Sequence, residues 1–365
     1  MTTGAVTAEE RRDELVGRLF GATIGAMDLL GIYLGDRLGL YRALADHGPL
    51  TSGGLAGAAG VHERYAREWL EQQAASAILD VDDPALPHDA RRYALPPGHD
   101  EALLDEDSLN YAAPFARLIV AAGRPIEALK EAFRNGGGVP YADYGVDLYE
   151  AQAAFTRPLF GKLLGSEWLP AVADVHVRLL DDPPAQVADV ACGGGLSSIA
   201  IARAYPKVRV DGIDLDEASI ELAGRHLDGS GVEDRVTFAV RDASDPGLAG
   251  RYDLVTIFEA LHDMSYPVDV LRACRALLAE GGSLIVGDER TAETFTAPAD
   301  DLERLYYGFS VLHCLPVGMI GDDPAGTGTV MRPETVRRYA AEAGFAEFEV
   351  LPIENDFWRF YRLRS

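Results

Sequence analysis

The chain has 365 residues, 48% of them hydrophobic and 25% charged, with three cysteines and a formal net charge of −25. A chain of this length suggests about two domains, and it can bury a core that needs neither disulfides nor a structural metal. So negative a surface repels phosphate backbones and anionic bilayers, which argues against nucleic acid or membrane as the general partner.

Cys192, Cys274 and Cys314 are widely spaced and form no Cys-x-x-Cys pair, the pattern of reduced thiols. The start, Thr2 to Asp13, is acidic and polar and lacks the basic, apolar signature of a secretory leader. The most apolar stretch, Phe20 to Leu34, is interrupted by Asp28 and reads as too short to span a bilayer. A cytoplasmic protein is expected.

In chain order, residues 8–46 carry apolar side chains (Leu15, Leu19, Ile24, Met27, Leu30) close to helical spacing. Thr51 is placed to cap a short helix that Gly60 ends, and a second helix runs from His62 to Ile78. Two helices joined by a tight glycine-containing turn form a helix-turn-helix. Residues 78–81 and 92–95 pair as a small wing across an acidic, proline-rich loop. A winged helix invites a DNA-binding reading. However, the second helix carries Glu63, Glu68 and Glu71 against Arg64 and Arg67, the wrong balance for a major groove, so a dimerisation role is favoured. Residues 101–180 read as mainly helical, broken by the loop Gly136-Gly137-Gly138-Val139-Pro140. The expected division is 1–100 winged helix, 101–180 helical connector and 181–365 catalytic domain.

From Val187 short apolar runs alternate with helical stretches: 188–191, 208–213, 236–240, 254–258 and 283–286. That alternation predicts an α/β, Rossmann-like parallel sheet covered on both faces. Residues 347–352 and 358–363 add two late strands.

The first of these strands ends in Asp189-Val190-Ala191-Cys192-Gly193-Gly194-Gly195 and opens a helix at Leu196. Glycines allow close backbone approach to a ligand, and a helix N-terminus presents unpaired N–H groups to an anion. Asp214 follows Gly195 by 19 residues at the tip of the second strand, the position of a ribose-gripping acid, with Leu215 beside it. Asp242-Ala243 at the third tip suits adenine, and Glu259 stands at the fourth. Gly-x-Gly-x-x-Gly is absent because position 198 is Ser, which disfavours a dinucleotide. The combination predicts S-adenosylmethionine, its carboxylate at the helix start and its ammonium near Asp189.

These residues, with Tyr252-Asp253-Leu254 and Leu261-His262-Asp263, resemble the ordered motifs of class I S-adenosylmethionine-dependent methyltransferases. With the winged helix ahead of them, the chain is similar to the small-molecule O-methyltransferases of the caffeic-acid type, in an actinobacterial branch. The resemblance implies a seven-stranded sheet, a homodimer and cofactor contacts from Asp189, Ala191, Gly193, Gly195, Asp214, Leu215, Asp242, Ala243 and Glu259. It implies His262 as the general base, with Asp263 beside it, removing a proton from a small-molecule hydroxyl. The sequence departs from the family at Ala191, where the family has glycine, and at Met264, where it has an aromatic residue. The carboxylate that orients the family's histidine falls near Met331, which leaves Glu289 as the candidate.

Two other readings use the same residues. His262, Asp263 and His313 form a two-histidine, one-carboxylate metal site for C-methylation of a 2-oxo acid if their loops converge. A regulator without catalysis would keep the winged helix for DNA, against the acidity of the chain.

Overall fold

The computed structural model describes residues 6–365, which divide into two compact units, the first ending at residue 120 and the second spanning 121–365. Residues 101–120 therefore go with the first unit and 121–180 with the second.

In the first unit, α1 (Ala8–Arg37) starts with a capping box in which Thr7 and Glu10 satisfy each other's backbone N–H groups. It is followed by α2 (Leu40–His47), α3 (Ser52–Ala59) and α4 (Glu63–Ala75). Thr51 caps α3 by accepting from the Gly54 N–H, and Gly60 ends it in the left-handed conformation. The strands β1 (Asp80–Val81) and β2 (Tyr93–Ala94) pair antiparallel, completing the expected winged helix. The C-terminal third of α1 is anchored: Trp69 Nε1 donates to Gly31 O at 2.8 Å, and Gly35 lies against the rings of Trp69 and Tyr41, where a Cβ would sit 2.5 Å from each. The first two thirds of α1 are bare, with Leu15, Leu19, Phe20, Ile24 and Met27 all exposed.

One expectation is corrected here. α1 is long and apolar enough to cross a membrane by length and composition, because the helix continues unbroken through Asp28. An isolated Asp does not interrupt a helical backbone.

The second unit is built on a seven-stranded sheet of β3 (Gln186–Val190), β4 (Arg209–Asp214), β5 (Val236–Val240), β6 (Tyr252–Phe258), β7 (Leu278–Glu289), β8 (Glu347–Val350) and β9 (Trp358–Arg364). The strand order is β5-β4-β3-β6-β7-β9-β8. The five strands β3 to β7 run parallel, while β9 pairs antiparallel with β7 and β8. Period-two alternation splits the side chains between two cores. Val187, Leu254 and Phe258 face Phe160, Leu164 and Trp168 on one side. Ala188, Val255 and Ile257 face Leu271, Val336 and Tyr339 on the other. With both faces buried, ligands can meet a parallel sheet only at its strand ends, and the C-terminal ends of β3, β4, β5, β6 and β7 share one edge.

Candidate active site

A cavity of about 730 Å³ opens along that edge. Its floor is the turn after β3. Ala191 takes a left-handed φ of 56°, the conformation for which glycine is preferred. Gly193 (φ 50°) points its N–H at Asp214 Oδ2, 2.9 Å away, and Asp214 Oδ1 accepts from the Asp216 N–H at 2.9 Å. The second strand's terminal acid is thereby fixed against the glycine turn. His226 Nδ1 donates to the Gly194 carbonyl at 2.8 Å from the opposite side.

Gly195 plays a different part from the one expected. It does not line the cavity; its left-handed φ of 73° starts the helix Leu196–Ala204, and a Cβ there would stand 2.3 Å from the Phe238 ring. Its glycine is required by packing behind the turn. Asp189 is also more inward-looking than expected. It is 1% exposed, accepts from Ser197 Oγ (2.5 Å) and Ser198 Oγ (2.6 Å) at Oδ2, and accepts from Thr256 Oγ1 (2.7 Å) at Oδ1. It reaches the cavity wall, but most of its bonding staples β3 to β6 and to the following helix. Burial raises its pKa, and the three hydroxyl bonds oppose that rise.

Ala191, Gly193, Asp214, Leu215, Asp242, Ala243 and Glu259 all line the cavity, as expected for the cofactor side. Asp242 is exposed and accepts from the Ser244 N–H at 2.8 Å, so it also closes its own turn. Glu259 has a φ of 53° at the tip of β6, and burial pushes its carboxyl up to about 7.

At the tip of β6, His262 and Asp263 part company. Asp263 lines the cavity. His262 does not; it is 2% exposed and sits behind the wall. Its Nδ1 lies 2.9 Å from Asp288 Oδ1 and 2.9 Å from Glu289 Oε2, at the end of β7. Glu289 is thus beside the histidine as expected, and away from the cavity. Asp288 was missed, and the only sequence signal for it is an acidic pair where a buried strand ends. Burial works to lower the His262 pKa, but the carboxylates of Glu289 and Asp288 outweigh it and hold the ring well above 6.5. Burial raises Asp263 to about 6.

The metal reading is also corrected. The described residues bring His262, Asp288 and Glu289 within 4.8 Å of one another, not His262, Asp263 and His313. His313 is buried edge-on against Tyr144, with its ring centroid 4.6 Å away, and desolvation pushes its pKa down to about 3. Two further cavity residues were not singled out as a pair: Tyr141 donates its hydroxyl to Gln152 Oε1, and both line the wall beside Asp263.

The comparisons agree with this architecture. A methyltransferase domain family matches residues 188–284, and the Rv2258c-like winged HTH domain matches residues 26–104. The chain is 34% identical over 194 residues to a ubiquinone biosynthesis O-methyltransferase of Stutzerimonas stutzeri, covering 53% of this chain and 77% of that protein. It is 42% identical over 100 residues to the enzyme of the same description from Marinobacter nauticus, covering 27% of this chain and 41% of that protein. The chain thus spans about two fifths of the length of the first curated relatives it matches. Human N-acetylserotonin methyltransferase, solved in complex with its cofactor SAM, superposes with a TM-score of 0.66 at 17% identity, covering 100% of this chain and 99% of that one.

A seven-stranded sheet with an antiparallel edge, a glycine turn and acids at successive strand tips defines a nucleoside-binding Rossmann-like fold. The chain belongs to the class I S-adenosylmethionine-dependent methyltransferases and carries an N-terminal winged helix.

The residues present fit that cofactor. The cavity wall holds seven carboxylates (Asp189, Asp214, Asp216, Asp242, Glu259, Asp263 and Asp269) and one guanidinium, Arg241, which is itself paired with Asp245. A cation is what such a wall lacks.

Proposed function

We propose that the protein methylates a hydroxyl group of a small-molecule acceptor, with His262 as the general base and Asp263 as its partner at the cavity wall. The observation that carries this reading is the contact of His262 Nδ1 with both Asp288 and Glu289. S-adenosylmethionine, when bound, supplies an electrophilic methyl group to the acceptor oxygen. Gly193, Asp214, Asp242 and Glu259 would hold it along the strand tips. The chain's own task is then to position the hydroxyl and take its proton. Carboxylates at Nδ1 fix the ring's orientation and stabilise the imidazolium that forms, leaving Nε2 as the basic nitrogen. Asp263, the next residue along the chain, lines the cavity that the acceptor enters. Contacts of this kind are often long in ligand-free proteins and tighten once the acceptor is bound. The test is methyl transfer from labelled cofactor across a panel of phenols. His262→Ala should lower kcat by about 100-fold or more, and full turnover in that variant at saturating acceptor would exclude His262 as the base.

The protein is further proposed to act as a cytoplasmic homodimer. The exposed stripe of α1 supports this: Leu19, Phe20 and Ile24 are uncovered, and Gly17, Gly21 and Gly25 recur every four residues with no neighbour within 4 Å, open to the close approach of a second helix. Against a nucleic-acid partner, both arginines early in α4 are already neutralised, Arg64 by Glu68 and Arg67 by Glu63.

A further inference from the structure

We infer that the acceptor carries no anionic group, and that the site favours a hydroxylated aromatic whose remote substituent is an ammonium facing Asp263. This rests on the methyltransferase reading and deepens it.

Tyr141, Gln152, Asp263, Met264, Val317 and Ile320 are among the residues that line the cavity. Three of these six are aliphatic or thioether side chains, which suit a flat apolar body. The polar members are one-sided. Tyr141 gives its hydroxyl hydrogen to Gln152, leaving the glutamine amide to meet a neutral oxygen. The Asp263 carboxylate bonds its own backbone N–H and no side chain among the described residues, while its neighbours His262, Asp288 and Glu289 are engaged with one another. Arg241 is the one Lys, Arg or His among the residues that line the cavity, and it is held by Asp245.

A carboxylate or phosphate on the acceptor would enter a space whose fixed charges are nearly all of its own sign. It would lose its hydration and find no cation to replace it, and a buried unpaired charge is costly. A neutral phenol avoids that cost. An ammonium gains from it, because the half-buried Asp263 carboxylate has no side-chain donor, and discrimination here works by like-charge rejection as much as by attraction.

The experiment is calorimetric binding to the full-length protein saturated with S-adenosylhomocysteine, using three catechols matched in size: dopamine, ethylcatechol and dihydroxyphenylacetic acid. We expect the amine to bind most tightly, the neutral catechol next, and the acid roughly tenfold or more below the neutral compound. In Asp263→Asn the ratio of amine to ethylcatechol affinity should fall to about one. The wild-type series needs no variant to be decisive. Equal or tighter binding of the acid overturns the inference, as does an unchanged amine-to-acid ratio in the variant or a failure of all three to bind. If the binding order holds but no acceptor hydroxyl is ever methylated, the acceptor selectivity stands and the catalytic reading is what falls.

Discussion

His262 Nδ1 and Asp288 Oδ1 lie 2.9 Å apart, each on a side chain no more than 3% exposed, and they join the tip of β6 to the tip of β7. A buried ion pair of this kind is weak support for stability on its own, but removing one partner is expensive because it strands the other. What the pair does clearly is set the protonation of the histidine.

That gives a pH prediction. The folded protein holds His262 protonated well above its ordinary 6.5, so the pair's contribution to stability is complete below pH 6.5 and is lost as pH rises toward the folded value. Glu289, whose carboxyl burial raises well above 4.5, also binds its proton more tightly when folded and adds to the fall in the same direction, starting at lower pH. Thermal melts between pH 6.5 and 9 should show Tm declining, with a flatter profile in His262→Gln; parallel profiles would contradict the assignment. Turnover should move the other way and rise with pH as the base is freed. Glu289→Gln should shift that activity limb to lower pH.

Cofactor binding should release protons near neutrality. Glu259 is pushed up to about 7 because burial disfavours its charge. A bound sulfonium cation would favour the ionised form and expel a fraction of a proton. Binding heats measured at pH 6.5 in buffers of different ionisation enthalpy should therefore differ. Buffer-independent heats would show that Glu259 does not meet the cation.

Ala191 occupies a left-handed conformation, φ 56°, at the position where the family has glycine. An L-residue is disfavoured there by about 1–2 kcal/mol. Ala191→Gly should raise stability by up to about 1 kcal/mol after the extra chain entropy of glycine is subtracted. Cofactor affinity should be retained or improved. A clear loss of stability in denaturant melts would mean that the alanine methyl makes packing contacts worth more than the strain.

The bare face of α1 makes the last prediction. Phe20 is 69% exposed and Ile24 48% exposed on the same side of the helix. Phe20→Glu with Ile24→Glu should convert a dimer to a monomer in sedimentation velocity while leaving the anchored third, around Gly31 and Trp69, folded. A wild-type protein that sediments as a monomer but floats with lipid vesicles would assign the stripe to a bilayer, for which α1 is long and apolar enough.

Much of the fold was legible because it rests on local periodicity. The βα alternation from Val187 located every strand of the sheet, with ends differing by a few residues, and Thr51, Gly60 and the short wing marked the winged helix through cap and turn chemistry. The boundary near residue 120 was not legible. Residues 160–168 look like any other helix until Phe160, Leu164 and Trp168 are seen to cover one face of the sheet.

The amino-acid sequence by itself determined the class of the protein, because each acid of the cofactor side is placed by its own strand ending, and strand endings follow from hydrophobic patterning and turn residues. Only the tertiary structure decided how those acids are used. It turned Asp189 inward to three hydroxyls and put Gly195 behind the turn against Phe238. It also separated two consecutive residues, sending Asp263 to the cavity and His262 to Asp288 and Glu289. The physical reason is that burial and charge pairing depend on atoms distant in the chain: β7 and β6 are paired in the sheet, but the residues at their tips lie more than twenty positions apart.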